Sequence, residues 1–158
     1  MLTIREARPG DEGDIVALLQ EFAEFERLTH IFRLTREIVS RDFLGEHRRV
    51  NCDLAEFDGA TAGLMVWCRN YATFSASPGI YLEDLYVRPQ FRRRGVGKAL
   101  LERLARYAAA DGATHIQWCV LDWNRAAAEF YVRLGAARAA EWELYRLGPD
   151  ALQRLTQA

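Results

Sequence analysis

Residues 80–108 read IYLEDLYVRPQFRRRGVGKALLERLARYA, and this stretch decides the fold. Its first eight residues are rich in β-branched and aromatic side chains, which predicts a strand over Ile80–Val87. Its last part has apolar residues at helical spacing, which predicts a helix over Gly95–Asp111. A strand that leads through Gly95 and Gly97 into a helix predicts an anion site, because the first backbone N–H groups of a helix lack intrahelical acceptors and the helix dipole adds positive charge.

Four basic side chains flank this turn: Arg92, Arg93, Arg94 and Lys98. Their charge suits a ligand that carries several phosphates. The pattern is neither a P-loop nor the three-glycine dinucleotide fingerprint. Glycines also serve tight turns for backbone reasons alone, so the residues by themselves leave that interpretation open.

The composition is that of an ordinary globular protein. A chain of 158 residues is long enough for a real core, and we expect residues 1–158 to form one domain. The net charge of −1 gives no global reason to expect nucleic acid or an anionic membrane as a partner. The basic cluster is therefore local, which favours a small anionic ligand. No apolar run approaches the roughly 18–20 residues that a membrane span requires.

The cysteines and the start of the chain predict the cellular compartment of the protein. Cys52, Cys68 and Cys119 lie in apolar, strand-like segments without metal-ligand spacing, which predicts buried free thiols and no metal site. The segment Met1–Glu6 is charged at once and does not fit a signal peptide. We therefore expect a cytoplasmic protein.

Hydrophobic periodicity and turn signals predict the remaining elements. The expected strands are Leu2–Ala7, Asn51–Phe57, Ala62–Asn70, Ile80–Val87, Thr114–Leu121 and Glu141–Leu147, with a hairpin turn at Asp58-Gly59. The expected helices begin near Asp11 or Asp14, and near Thr35, Gly95, Asn124 and Pro149. The order β-α-α-β-β-β-α-β-α-β predicts an α/β fold with a central mixed, twisted sheet and helices on both faces. A ligand is expected where the strands splay apart, near their carboxyl ends.

A second group of residues lies at the start of the fourth predicted helix. Asn124 stands where an N-cap is expected, and Tyr131 follows two turns later. Taken alone, Asn124 is consistent with a simple cap and Tyr131 with a core aromatic that has a polar tip.

Together these segments carry a family resemblance. Residues 92–97 fit Arg-x-x-Gly-x-Gly, and residues 124–136 fit Asn-x-x-Ala-x-x-Phe-Tyr-x-x-Leu-Gly-Ala. Both resemble the acetyl-CoA site of the GNAT N-acetyltransferases. Tyr81–Val87, Leu121–Asn124 and Phe130-Tyr131 are similar to the spermidine/spermine (diamine) N-acetyltransferase subgroup, and the resemblance extends over nearly the whole chain. It implies a GNAT fold and transfer of acetyl from acetyl-CoA to a primary amine by direct attack.

The resemblance also implies roles for individual residues. The backbone of Leu85, Tyr86 and Val87 would pair with the pantetheine arm. The diphosphate would lie against Arg92, Arg93, Arg94, Gly95, Val96, Gly97 and Lys98, and Asn124, Ala127 and Tyr131 would complete the cofactor site. Glu83 would act as base and amine ligand, Tyr131 as the acid that protonates the departing thiolate, and Glu26 and Asp84 as further amine ligands. Because neighbouring strand residues face opposite sides, Glu83 and Asp84 are not expected to share one role.

The acceptor amine stays open at this stage. The loop Tyr71–Gly79 lacks the tryptophan and the acidic residue of polyamine-acetylating relatives and resembles the variant of bacterial members. A polyamine, a diamine or a thialysine-like amino acid all remain compatible. The alternatives to a small amine are a protein lysine or N-terminus, and a non-catalytic acyl-CoA sensor. The resemblance further implies a homodimer, with Glu141–Tyr145 near its interface.

Overall fold

The computed structural model describes residues 1–157, which form a mixed α/β structure. The strands are β1 (Leu2–Glu6), β2 (Asn51–Phe57), β3 (Ala60–Ala72), β4 (Ser77–Val87) and β5 (Ile116–Gln117). The helices are α1 (Glu12–Phe25), α2 (Arg36–Asp42), α3 (Val96–Ala110), α4 (Arg125–Arg133) and α5 (Pro149–Thr156). Short 3-10 helices lie at Thr29–Ile31 and Pro89–Phe91. Within the described residues, no helix is both long and apolar enough to cross a membrane.

The chain divides into two compact units, Met1–Cys119 and the residues from Val120 on. The first unit contains one five-stranded sheet in the order β1-β2-β3-β4-β5. The strands β1 to β4 are antiparallel neighbours, and β5 runs parallel to β4. The mixed sheet expected from the sequence is confirmed.

Each face of this sheet carries its own hydrophobic core. On one face, Leu54, Leu64 and Val66 pack with buried residues of α1 and α2. On the other, Met65 and Trp67 pack with the buried stripe of α3. Because consecutive strand residues point to opposite faces, β2 and β3 contribute to both cores. Helices on both faces are therefore confirmed.

Two turn signals from the sequence have the expected geometry. Asp58 and Gly59 connect β2 to β3 with φ values of +50° and +80°, the left-handed pair that a tight hairpin needs. Thr35 caps α2, where its hydroxyl accepts a hydrogen bond from the Ile38 amide at 3.3 Å. Both features were predicted correctly because the conformations of the turn and of the cap depend on residues that are close in sequence.

The parallel strand and the thiols differ from expectation. The strand predicted at Thr114–Leu121 is reduced to Ile116–Gln117, and its pairing with β4 covers Ile80 and Tyr81 alone. Cys52 is buried as predicted, but Cys68 is only partly buried and Cys119 is exposed. The Tyr81 hydroxyl donates to the Cys119 sulfur at 3.5 Å. This hydrogen bond, followed by burial, raises the pKa of Tyr81 to about 12.

The second unit contains α4 and α5. The strand predicted at Glu141–Leu147 is wrong, because this segment has no regular secondary structure. Its apolar residues alternate with charged ones, but a strand exists only through a ladder with a neighbouring strand. Trp142, Leu144 and Tyr145 are exposed instead.

Candidate active site

The glycine turn joins β4 to α3 as the sequence predicts. Gly95 lies directly before the helix with a φ of +81°, in the left-handed region that glycine adopts without a steric cost. The helical ladder begins with the Ala99 amide donating to the Gly95 carbonyl at 2.9 Å. The amides of Val96, Gly97 and Lys98 precede that ladder and are the groups that can bind an anion.

Arg93 is also left-handed, with a φ of +61°. A non-glycine residue in this conformation costs about 1–2 kcal/mol. Arg93 nevertheless maintains the turn.

The basic side chains of the turn diverge. The Arg92 guanidinium carbon lies 5.0 Å from the ring centre of Phe25 and 5.8 Å from that of Tyr86, while its Nε donates to the Val87 carbonyl at 2.9 Å. Arg94 lies over the ring of Phe57 at 5.4 Å. Lys98 pairs with Glu102 on the next turn of α3 at 2.7 Å. The Arg92 stack ties the turn to the carboxyl end of α1.

The strand β4 continues beyond its parallel partner. Its pairing with β5 ends at Tyr81, whereas β4 itself runs to Val87. Leu85 and Val87 pack against the core beneath α3, and Tyr86 is buried on the opposite face. The Tyr86 hydroxyl donates to Glu21 at 3.4 Å, and Arg88 pairs with Glu21 at 2.8 Å. This strand end is where the family resemblance predicts the pantetheine arm.

A β-bulge interrupts β4 at the two predicted carboxylates. Asp84 pairs with Val66 and Leu82 with Trp67, so Glu83 is the extra residue between them. Leu82 packs in the core beneath α3, whereas Asp84, two positions later, lines a cavity on the α1 side. The two-residue alternation of the strand is therefore broken between Leu82 and Asp84, because a bulge shifts the register of the side chains. The separate roles expected for Glu83 and Asp84 stay a prediction. Glu83 itself is exposed.

That cavity has a volume of about 310 Å³, near the lower end of the range of about 300–1,000 Å³ that is typical of small-ligand sites. It lies between α1, the connection to α2, and β4. Its apolar walls include Leu19, Phe22, Leu28, Phe32, Leu34 and Phe43. Its charged residues are Glu26, Arg33 and Asp84. The structure thus brings two of the three predicted amine ligands, Glu26 and Asp84, into one small cavity.

The two carboxyl groups of the cavity are electrostatically perturbed. Burial, reinforced by the negative charges of Glu83 and Glu26, raises the pKa of Asp84 to about 7. Burial also raises the pKa of Glu26. A carboxyl group with a pKa near neutrality in an apolar cavity is typical of a functional site.

A smaller cavity of about 110 Å³ lies near Asp53 beneath α3. The Asp53 carboxylate is buried and accepts hydrogen bonds from Arg103 at 2.5 Å, Tyr107 at 3.1 Å and Trp67 at 3.2 Å. The other charged residues of the lining are also paired, Arg48 with Glu6 at 2.6 Å and Arg69 with Asp111 at 2.7 Å. The cavity is therefore lined by a structural ion-pair network.

The remaining predicted residues lie in the second unit. Asn124 caps α4, and its side-chain oxygen accepts a hydrogen bond from the Ala127 amide at 3.2 Å. Tyr131 lies on the same helix, with its ring centre 5.2 Å from that of Phe130. The predicted cap is confirmed, and the catalytic role of Tyr131 stays a prediction.

Sequence reasoning missed Arg33. It lies in the connection between the 3-10 helix and α2, a segment whose residues had no assigned role. The available signal was a cation between two apolar residues, Phe32 and Leu34, in a short connection. That signal is weak until the fold places Arg33 on the cavity.

Comparisons with known proteins identify the family. Residues 14–136 match the model of the acetyltransferase (GNAT) family. The chain is 36% identical to a mouse thialysine N-epsilon-acetyltransferase over 96% of this chain and 95% of the relative. It is 32% identical to an L-ornithine N5-acetyltransferase of Arabidopsis thaliana over 96% and 86% of the two chains.

A solved structure has the same fold. An integron cassette protein from the mobile metagenome of V. cholerae superposes with a TM-score of 0.84 and 22% identity over 99% of this chain and 98% of that one. Together with the family match and the relatives, this shows that the chain belongs to the GNAT acetyltransferase family and is an N-acetyltransferase.

Proposed function

We propose that this protein transfers acetyl from acetyl-CoA to a primary amine of a small molecule, a diamine or a thialysine-like diamino acid. The observation that carries this proposal is the small cavity lined by Glu26 and Asp84, next to the bulge of the strand that leads into the glycine turn. The thialysine and ornithine acetyltransferases among the relatives support an amine of this size.

The residues present fit acetyl-CoA. The amides of Val96, Gly97 and Lys98 precede the helical ladder of α3 and would bind the diphosphate, with Arg92, Arg93, Arg94 and Gly95 around them. The backbone of Leu85, Tyr86 and Val87 lies beyond the last β5 partner of β4 and would bind the pantetheine arm. Asn124 and Ala127, at the start of α4, would contact the pantetheine end. Acetyl-CoA supplies the acetyl group as a thioester.

The acceptor amine must lose a proton before it attacks. A primary amine has a pKa near 10.4, so forming the free base at pH 7 costs roughly 4–5 kcal/mol. Glu26 and Asp84 would attract the ammonium group into the cavity. Glu83, next to Asp84 at the bulge, would accept the proton directly or through a water molecule. The attack then forms the C–N bond and breaks the C–S bond of the thioester.

The departing thiolate needs a proton, which Tyr131 would donate. A phenol with a pKa near 10 is matched to a thiolate whose parent thiol has a pKa near 8.5–10. Tyr131 lies on α4, whose start is the second part of the cofactor motif.

The proposal also covers the domain organisation, the cellular location and the oligomeric state of the enzyme. We place both units in one catalytic domain, because the family match runs across their boundary at residue 119. We propose a cytoplasmic homodimer in which the exposed apolar side chains of Trp142, Leu144 and Tyr145 lie at the interface. Sedimentation velocity on the purified protein would measure its oligomeric state, and a monomer would contradict the dimer.

An amine panel tests the reaction. The purified protein is incubated with acetyl-CoA and L-ornithine, L-lysine, thialysine, putrescine or spermidine, and release of free thiol is measured. We expect acetyl-dependent release with at least one of these amines. If calorimetry detects acetyl-CoA binding but no amine elicits thiol release, the proposed reaction is wrong.

Two variants test the assigned proton transfers. Tyr131→Phe and Glu83→Gln should each lower kcat about 100-fold, the size of a lost general acid or base, with little change in acetyl-CoA affinity. Tyr145→Phe is the matched control, because it removes a phenol hydroxyl from the same unit as Tyr131 and keeps the ring that we propose lies at the dimer interface. Wild-type kcat in Tyr131→Phe would reject Tyr131 as the acid.

A further inference from the structure

The cavity that holds Glu26 and Asp84 also contains a cation. Arg33 lines the same space of about 310 Å³ and belongs to the connection that precedes α2. Arg33 is exposed at the surface, whereas Glu26 and Asp84 are partly buried. The cavity therefore carries two acidic groups in its partly buried region and one basic group that reaches solvent.

The guanidinium of Arg33 retains most of its binding capacity. Its Nη1 donates to the Phe32 carbonyl at 2.7 Å, which uses one of the five N–H donors of the group. Among residues 1–157, no carboxylate forms an ion pair with Arg33. The planar fork of an arginine matches the geometry of a carboxylate, to which it donates two parallel hydrogen bonds.

This distribution of charge distinguishes two classes of acceptor. A simple diamine would bring its second ammonium group towards Arg33, where like charges repel. An α,ω-diamino acid that places one amine near Asp84 brings the same ammonium group together with an α-carboxylate, whose attraction to Arg33 offsets the repulsion. The difference between the two classes is a single carboxylate group.

We propose that Arg33 binds the α-carboxylate of the acceptor and thereby selects a free α,ω-diamino acid over the diamine of the same length. This inference rests on the proposed function and adds a specificity-determining residue to it. An internal lysine of a protein has no free α-carboxylate, so the same contact also disfavours protein acceptors.

Arg33 lies on the solvent-facing side of the cavity, whose apolar walls include Phe22, Phe32 and Phe43. Its contribution to binding therefore comes from paired hydrogen bonds to the carboxylate rather than from burial. A hydrogen bond between charged groups typically changes binding about 10- to 100-fold. That range is the preference expected for the carboxylate-bearing acceptor.

Two matched substrate pairs isolate the contact. L-ornithine and putrescine differ only by the α-carboxylate, as do L-lysine and cadaverine. One of the two pairs should contain the better substrates of the wild-type protein. Within that pair, we expect kcat/KM to be about 10- to 100-fold higher for the amino acid than for the diamine. Calorimetric titration of the same pair gives the binding affinities independently of turnover.

Variants at Arg33 test its role in the preference. Arg33→Gln should lower kcat/KM for the amino acid about 10- to 100-fold, mainly through KM, and raise it for the diamine, so the ratio collapses towards one. Arg33→Lys keeps the charge without the planar fork and should give an intermediate ratio. Arg36→Gln is the matched control, because Arg36 is an exposed arginine of the same segment whose guanidinium lies against Gly13 and does not line the cavity.

The outcomes distinguish a wrong assignment of Arg33 from a wrong assignment of the acetyltransferase function. A ratio that is unchanged in Arg33→Gln, or changed equally in Arg36→Gln, overturns the assignment of Arg33 while the acetyltransferase function stands. A wild-type protein that prefers putrescine or cadaverine overturns it as well. If the folded protein binds acetyl-CoA but acetylates neither these four amines nor thialysine or spermidine, the proposed function fails and the Arg33 assignment fails with it.

Discussion

The glycine turn and the acid-lined cavity are built in different ways. The turn is a contiguous segment, Phe91–Lys98, whose proposed anion-binding groups are backbone amides at the start of α3. The cavity is assembled from α1, the connection to α2, Phe43 directly after α2, and the bulge of β4, and its charged side chains are those of Glu26, Arg33 and Asp84.

This difference teaches which part of an enzyme varies easily. A site made of backbone amides depends on local conformation and tolerates different side chains, as the left-handed Arg93 within the turn illustrates. A site made of side chains changes its specificity with each substitution. We therefore expect the acetyl donor to be bound mainly through backbone amides and the acceptor amine mainly through side chains.

The largest effect should follow from removing a cavity carboxylate. Asp84→Asn removes the carboxylate that we propose attracts the ammonium group, and we expect kcat/KM for the amine to fall about 100-fold. The KM for acetyl-CoA should stay within about twofold if the two regions are separate in function. Steady-state kinetics with each substrate varied in turn measures both values, and Asp150→Asn serves as an exposed control. Equal losses for both substrates would break the comparison.

The same carboxylate should make stability depend on pH. Its pKa is raised from the ordinary value of 3.8 to about 7, so the folded state binds the proton more tightly than the unfolded state. The stabilising contribution is complete below about pH 4 and is lost as pH rises through 7. The free energy of unfolding of Asp84→Asn, relative to that of the wild type, should therefore increase by about 2 kcal/mol from pH 4 to pH 8. This value is reduced because Asp84 is partly exposed.

Urea unfolding at the two pH values measures this difference. Asp150→Asn should show no comparable gain, because Asp150 is exposed on α5. A pH-independent difference between Asp84→Asn and the wild type would show that Asp84 ionises normally in the folded protein.

A smaller effect should come from the turn. Gly95→Ala forces a side chain into a φ of +81° and places a methyl group where the diphosphate would lie, so we expect a roughly 10-fold higher KM for acetyl-CoA. The KM for the amine should not change. Gly112→Ala is a matched control at the other end of α3, where φ is +69° and the added Cβ also meets open space. If both variants raise the KM equally, general strain explains the result.

The smallest effect should come from the contact that joins the two regions. Phe25→Leu removes the ring over which Arg92 packs at 5.0 Å, and a contact of this kind contributes about 0.5–1 kcal/mol. We expect a roughly threefold rise in the KM of both substrates, since Phe25 ends α1 and Arg92 belongs to the turn. Phe74→Leu is the control, because Phe74 is fully exposed. A change for one substrate alone would show that the stack does not couple the regions.

Much of the fold was predictable because its signals are local. The strands β1 to β4, the hairpin at Asp58-Gly59 and the cap at Thr35 follow from residues that are adjacent in sequence. The prediction of a strand at Glu141–Leu147 was wrong because alternation of apolar and charged residues is not sufficient for a strand. A strand also needs a hydrogen-bonded partner, and the segment itself does not encode that partner.

The candidate site was predictable to a lesser degree. Glu26 and Asp84 were expected from family resemblance and do line one cavity. The bulge at Glu83 was not predictable from alternation, since a bulge is defined by the register with β3. Arg33 went unnoticed because an isolated arginine in a connection has no distinctive pattern.

The sequence by itself determined the strand-turn-helix segment around Gly95 and the family to which the chain belongs, because both depend on the order of neighbouring residues. Only the tertiary structure decided that Glu26, Arg33 and Asp84 line one cavity and that the pKa of Asp84 lies near neutrality. The physical reason is that burial and the distance between charges are properties of segments packed together, and segments far apart in sequence acquire them only on folding.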